Sequence, residues 1–143
     1  MNATPILHHF ELSPFSEKIR LIFGLKRMAW RSVLVPMAMP KPDVVALTGG
    51  YRRTPTLQVG AEIYCDTALI AQVLDTLIPA PPLEPPGAPV APAVAAWADS
   101  TLFWQAIVVT QAAEPRATLF RGMTPQAIAA VRADRAAFTA MSQ

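Results

Sequence analysis

Three short polar groups in this sequence have residue types and positions suited to chemistry. Ser13-Pro14-Phe15-Ser16 sets two hydroxyls at the opening of a helix-like segment. Ser13 suits the N-cap and Pro14 the first helical position, where a missing N–H costs nothing and the fixed φ is already helical. Asp66-Thr67 opens a second such segment, where unpaired N–H groups and the helix dipole favour an anion. Read only as an N-cap, Asp66 would contribute about 1 kcal/mol. Thr54-Pro55 begins a short apolar run, and taken alone the proline marks the start of an edge strand. Lys41, Arg52 and Arg53 lie in the irregular stretch leading up to Thr54-Pro55, although two adjacent arginines are most often solvated surface.

The remaining reactive side chains read as structural. His8 and His9 are neighbours on one strand and point to opposite faces, and no acidic residue has ligand spacing, so no metal is expected. Cys65 is the one cysteine. It excludes an internal disulfide and a thiolate-based zinc cluster and fits a reducing, cytoplasmic setting. It reads as a small buried residue rather than a nucleophile.

The elements that must position these groups follow from periodicity and punctuation. Pro5 to Phe10 is a short apolar run suited to a buried strand, and Ser13 to Lys26 carries Phe15, Ile19, Ile22 and Phe23 at helical spacing. Trp30 to Val35 reads as a second strand. Pro36 to Tyr51 is broken by prolines and glycines around one helical turn at Asp43 to Leu47. TPTLQV and EIYC are strands joined by Gly60-Ala61, and glycine first in a two-residue loop suits a type II′ hairpin. From Asp66, Ile70, Val73, Leu74 and Leu77 form one apolar stripe, with Gln72, Asp75 and Thr76 facing away. The order is β-α-β, a loop region, then β-β-α.

Of 15 prolines, seven fall between Pro79 and Pro92, a composition that sustains neither helix nor central strand and marks a linker. Beyond it, Ala93 to Ala113 and Pro125 to Met141 read as helices, the second capped by Thr124 with an apolar face of Ile128, Val131 and Phe138. The domains are therefore expected at 1–79 (α/β), 80–92 (linker) and 93–143 (all-α).

At 143 residues, 52% hydrophobic and 15% charged, the chain has enough apolar material for a packed core. A net charge of +2 without a basic run is a poor footprint for nucleic acid. The N-terminus lacks the pattern of a secretion signal. Ala93 to Ala113 is apolar but interrupted by Asp99, Gln105 and Gln111, which argues for a buried helix of a soluble protein and against a membrane span.

Taken together, SPFSEKIRL, TPTL and IYCDTALIAQVLD, in this order and separation over residues 5 to 79, resemble the glutathione S-transferase superfamily. The resemblance implies a thioredoxin-like N-terminal domain, followed by a helical domain that is usually longer than the two helices this sequence has room for. It implies glutathione as co-substrate, no metal, a homodimer, and cytoplasmic detoxification of small electrophiles.

The resemblance also assigns roles. It makes the Thr54–Pro55 bond cis, with the Thr54 backbone pairing the cysteinyl part of glutathione. Asp66 and Thr67 would take the γ-glutamyl end, the acid its ammonium and the hydroxyl and amides its carboxylate. The glycyl carboxylate would need a cation, with Arg53 the candidate alongside Arg52 and Lys41. In the related glutaredoxin pattern two cysteines stand where this chain has Ser13 and Ser16, so dithiol cycling is excluded and activation of glutathione's own thiol remains. A hydroxyl donor to the sulfur would contribute about 1.5–3 kcal/mol and the helix N-terminus about 0.3–1, against about 2.7 kcal/mol needed to lower a thiol pKa by about two. Ser13 is the expected donor and Ser16 its rival, less well aimed because its side chain should point along the helix surface. Trp97, Phe103 and Trp104 could wall a substrate pocket, with core packing the commoner reason for such residues. The leading expectation is a transferase, and the alternative is a non-catalytic binding module that kept the fold.

Overall fold

The computed structural model describes residues 3–110 and 120–140. They form two units, one of Met1–Pro81 with the stretch from Ala129 onward, the other of Pro82–Ile128. In the first unit β1 (Ile6–His9), α1 (Pro14–Leu25), β2 (Arg31–Leu34), α2 (Pro42–Thr48), β3 (Thr56–Val59), β4 (Glu62–Cys65) and α3 (Thr67–Leu77) follow the expected order. The expected single helical turn is a complete short helix, ended by Gly49 at φ +66°, a conformation that glycine adopts without a Cβ penalty.

The sheet order is β2-β1-β3-β4. β1 and β2 are parallel, with Leu7 opposite Ser32, which requires a crossover such as α1 supplies. β3 runs antiparallel to both β1 and β4. Gly60 at φ +64° has the sign that the first position of a type II′ turn needs.

Leu7 and Leu57 from the sheet, Ile19 and Phe23 from α1, and Ile70 and Leu74 from α3 make the core, none more than 1% exposed. Burying each such side chain is worth about 1.5–3 kcal/mol. Trp30 stacks on Phe23 with centroids 5.1 Å apart. The histidines take opposite faces: Nε2 of His8 bonds the Gln58 side chain at 3.1 Å, while Nε2 of His9 bonds Ser32 Oγ at 2.8 Å. Burial, reinforced by Arg20, lowers the pKa of His9.

Lys26, just past α1 and 4% exposed, donates to the carbonyls of Ile78 at 2.7 Å and Pro81 at 2.6 Å and pairs with Asp75. It ties the end of α3 and the first prolines of the linker to the end of α1. Asp75 therefore does not simply face away, as the α3 stripe suggested, and Leu77 is left 36% exposed.

In the second unit α4 (Ala91–Trp97) passes through a π-helical turn, Ala98–Leu102, into α5 (Phe103–Thr110). Residues 111–113 of the expected helix lie outside the described residues. Trp97 and Trp104 are 48% and 42% exposed, so the described residues do not give them the core role that composition favoured. Helix α6 (Pro125–Ala140), whose residues from Ala129 onward belong to the first unit, is capped as expected, Thr124 Oγ1 accepting from the Ala127 N–H at 3.2 Å. Val131 is buried, whereas Met141 and the Phe138 side chain lie outside the described residues. No described helix is long and apolar enough to cross a membrane.

Candidate functional site

Sheet register gathers the three polar groups at one end of the first unit. His8 pairs with Thr56, and Thr56 with Cys65, so the chain leaving β1 toward Ser13, the chain entering β3 from Thr54-Pro55, and the chain leaving β4 into Asp66-Thr67 share one edge of the sheet. β2 ends at Leu34 opposite His9, which brings the approach to Lys41 to that same edge.

Ser13 caps α1, with φ −80° and ψ 119°. Its Oγ accepts the Ser16 N–H at 3.1 Å, which leaves the hydroxyl hydrogen to be donated elsewhere. Ser16 differs from expectation. It lies on the inward face of α1 with Ile19 and Phe23, is wholly buried, and its hydroxyl has no partner among the described residues. The i, i+3, i+7 spacing of these three residues explains why it turns inward.

Asp66 caps α3, its Oδ1 accepting the Ala68 N–H at 2.8 Å, with φ +76° and ψ 130°. A non-glycine residue in this region costs about 1–3 kcal/mol and is found where a site demands it. Thr67 is buried, and its Oγ1 accepts from Lys18 Nζ at 3.2 Å. Tyr51 lies close by, its phenol pKa raised by burial and then by the Asp66 charge. Burial likewise raises the Cys65 thiol, partly countered by a hydrogen bond with Thr56.

The Thr54–Pro55 bond is cis. Thr54 Oγ1 accepts from Lys41 Nζ at 2.8 Å, and Lys41, at the start of α2, is only 6% exposed. Its ammonium lies 5.6 Å from the centre of the Phe10 ring, within cation–π range. Burial above all, then Arg135, pulls the Lys41 pKa down to about 8, with Asp134 opposing and Arg52 adding to the fall. Arg52 pairs with Asp134 of α6, so it is not the plain surface arginine its doublet suggested, while Arg53 is exposed.

The site thus includes Phe10, Lys18, Asp134 and Arg135, for which sequence reading gave no role. Lys18 could have been sought as a cation on α1 shortly after Ser13. Nothing local signals Asp134 or Arg135. No group of metal-ligating side chains occurs among the described residues.

The sequence model of the glutathione S-transferase N-terminal domain matches residues 7–82. No curated protein matches the chain. Among solved structures, a glutathione S-transferase-like protein from Pseudomonas syringae is 51% identical with a TM-score of 0.72, covering 78% of this chain and 41% of its own. A glutathione transferase homologue from Burkholderia, with bound glutathione, is 26% identical with a TM-score of 0.56, covering 68% of this chain and 55% of its own. A glutathione S-transferase from Rhodospirillum rubrum, 22% identical, shares the fold with a TM-score of 0.65, covering 94% of this chain and 63% of its own. This chain spans less than two thirds of the length of each.

Proposed function

Because this chain belongs to the glutathione S-transferase family, we propose that its first unit binds glutathione and activates the thiol for transfer to, or isomerisation of, a small electrophile. The observation that carries the reading is the convergence, at one end of the strands, of a capping hydroxyl at Ser13, the Thr54-Pro55 entry to β3 and the capped α3 N-terminus at Asp66-Thr67.

In this reading the extended tripeptide lies across the sheet edge. The Thr54 backbone pairs its cysteinyl part, Pro55 holding that segment in place. Asp66 takes the γ-glutamyl ammonium, and the Thr67 hydroxyl with the first α3 amides takes the carboxylate. Lys41, whose ammonium stands beside Thr54, and Arg53 supply positive charge for the glycyl carboxylate.

Ser13 is the donor to sulfur. Its oxygen is already engaged by the Ser16 amide, so its hydrogen is the part left to act. It removes no proton; it stabilises the thiolate, and about 1.5–3 kcal/mol from the hydroxyl with about 0.3–1 from the α1 N-terminus accounts for a thiol about two pH units more acidic. Ser16, enclosed on the core side, is the rival hydroxyl. The thiolate then attacks the electrophilic carbon, and the leaving group departs with the bonding pair.

Exposed Leu69 and Leu77 of α3, with half-buried Val73 and Tyr64 and the polar Gln72 and Thr76, line a groove of about 340 Å³. It supports a homodimer, which light scattering would reveal as twice the mass of one chain.

Calorimetric titration with glutathione, together with an assay of thiol addition to an aryl halide, tests the whole reading. Binding with turnover is expected. Binding without turnover would favour the non-catalytic module, and the absence of both would remove glutathione from the account.

A further inference from the structure

Two cations from separate parts of the first unit lie over the Phe10 ring, and the Arg52–Asp134 pair is close enough to act on the first of them, Lys41. Lys41 Nζ lies 5.6 Å from the ring centre and Arg135 Cζ 5.9 Å, while Arg52 pairs with Asp134. Among the described residues, the charges that act on one another at this corner are Lys41, Arg52 and Arg135 with the Asp134 carboxylate. The Lys41 ammonium is buried and donates to a neutral hydroxyl, that of Thr54, and a buried charge is expensive unless an opposite charge answers it.

The α6 stretch that brings Asp134 and Arg135 here is seated by Val131, 6% exposed. Positions three and four residues apart share a helix face, so Val131, Asp134 and Arg135 form one stripe. Asp134 is well enclosed, its side chain 13% accessible against 30% for Arg52. A carboxylate held in that way, beside a lysine and two arginines, occupies the place that an incoming carboxylate would seek.

We propose that Lys41, Arg52 and Arg135 form a carboxylate-binding corner in which Asp134 is the resident occupant, and that a ligand carboxylate arriving beside Thr54 takes its place. This rests on the reading that glutathione binds along Thr54, and it adds that α6 both supplies a ligand-binding arginine and competes with the ligand. The preferred ligands are those bearing a free carboxylate at this end.

The probes are S-methylglutathione, which has no titrating thiol, and the same compound with its glycyl carboxylate converted to the amide. By calorimetry, Asp134→Asn should bind the carboxylate form about 3- to 10-fold more tightly than the unsubstituted protein, the range expected for removing one partly solvated competing charge. The amide form should show no gain. Arg135→Gln, an independent change, should weaken the carboxylate form about 3- to 10-fold. If Asp134 only held α6 in place, Asp134→Asn would bind equally or more weakly, and that result overturns the proposal; an equal gain for the amide overturns it too. If the unsubstituted protein bound neither glutathione nor S-methylglutathione, the glutathione reading would fall and this inference with it. Normal binding that is insensitive to Asp134→Asn would remove this inference alone.

Discussion

Replacing Lys41 by methionine should make the protein more stable and its ligand binding weaker. The ammonium is buried against Phe10 with a hydrogen bond to Thr54, and its pKa stands at about 8 against an ordinary 10.5. At about 1.4 kcal/mol per pH unit, holding the proton there costs the folded state about 3 kcal/mol at neutral pH. Methionine matches the stem in length and fills the same space without charge. It gives up the Thr54 hydrogen bond, about 1 kcal/mol, and some cation–π attraction, about 0.5–1. The net gain is about 1–2 kcal/mol, which for a chain of this size raises the melting temperature by about 4 °C or more. The pH dependence follows from proton counting. Because folding lowers this pKa, the unfolded chain binds more protons between about pH 8 and 10.5, so the stability of the unsubstituted protein rises across that window. Lys41→Met lacks this rise, and its advantage should fade over the same range. Urea denaturation at pH 7 and pH 10 reads both effects. A variant less stable at pH 7, or an advantage that does not change with pH, would refute the reasoning that a desolvated ammonium is kept here at a cost to stability.

Ser13→Ala should raise the thiol pKa of bound glutathione by about one to two, read from thiolate absorbance in the ultraviolet, and cost about 1 kcal/mol through the lost cap. Ser16→Ala should leave thiol acidity unchanged, and the reverse pattern would assign the role to the other hydroxyl. Thr67→Ala should weaken glutathione binding about tenfold or more, through loss of a hydrogen bond to a charged group, with Thr67→Ser retaining it; equal binding by all three proteins in calorimetry would detach Thr67 from the ligand. Lys26→Met should destabilise the fold by about 2–3 kcal/mol in urea titration, since Asp75 and two carbonyls lose their shared donor. A loss under about 0.5 kcal/mol would show that the first linker residues need no such tie.

Much of the secondary structure was legible because its determinants are local. Ser13 with Pro14, Thr124 with Pro125, and Gly60 in its hairpin each act through bonds to residues two to four positions away, so their effect can be read from neighbouring letters. The apolar spacing of α1 and α3 named most of the core for the same reason. The three polar groups could be recognised together because the order and separation of their motifs resemble one family, and the sheet register then brings their loops to one end of the strands. Directions and long-range partners were not legible in this way. Ser16 turned inward because α1 presents its Ile19 and Phe23 face to the sheet, which fixes its rotation about its own axis. Asp75 was drawn back toward the core by Lys26, 49 positions earlier, and Trp97 and Trp104 stay 48% and 42% exposed among the described residues.

What the sequence by itself determined is the order of elements, their caps, and the chemical types available at the sheet edge. Only the tertiary structure decided which charges face one another there: Lys18 on Thr67, Lys41 on Thr54 and Phe10, and Arg52 on Asp134, 82 positions away. Long charged side chains on exposed or half-buried positions carry no periodic signature. Their partners are set by where separate elements come to rest and by the loss of solvent around them, a property of the packed chain that no stretch of it contains alone.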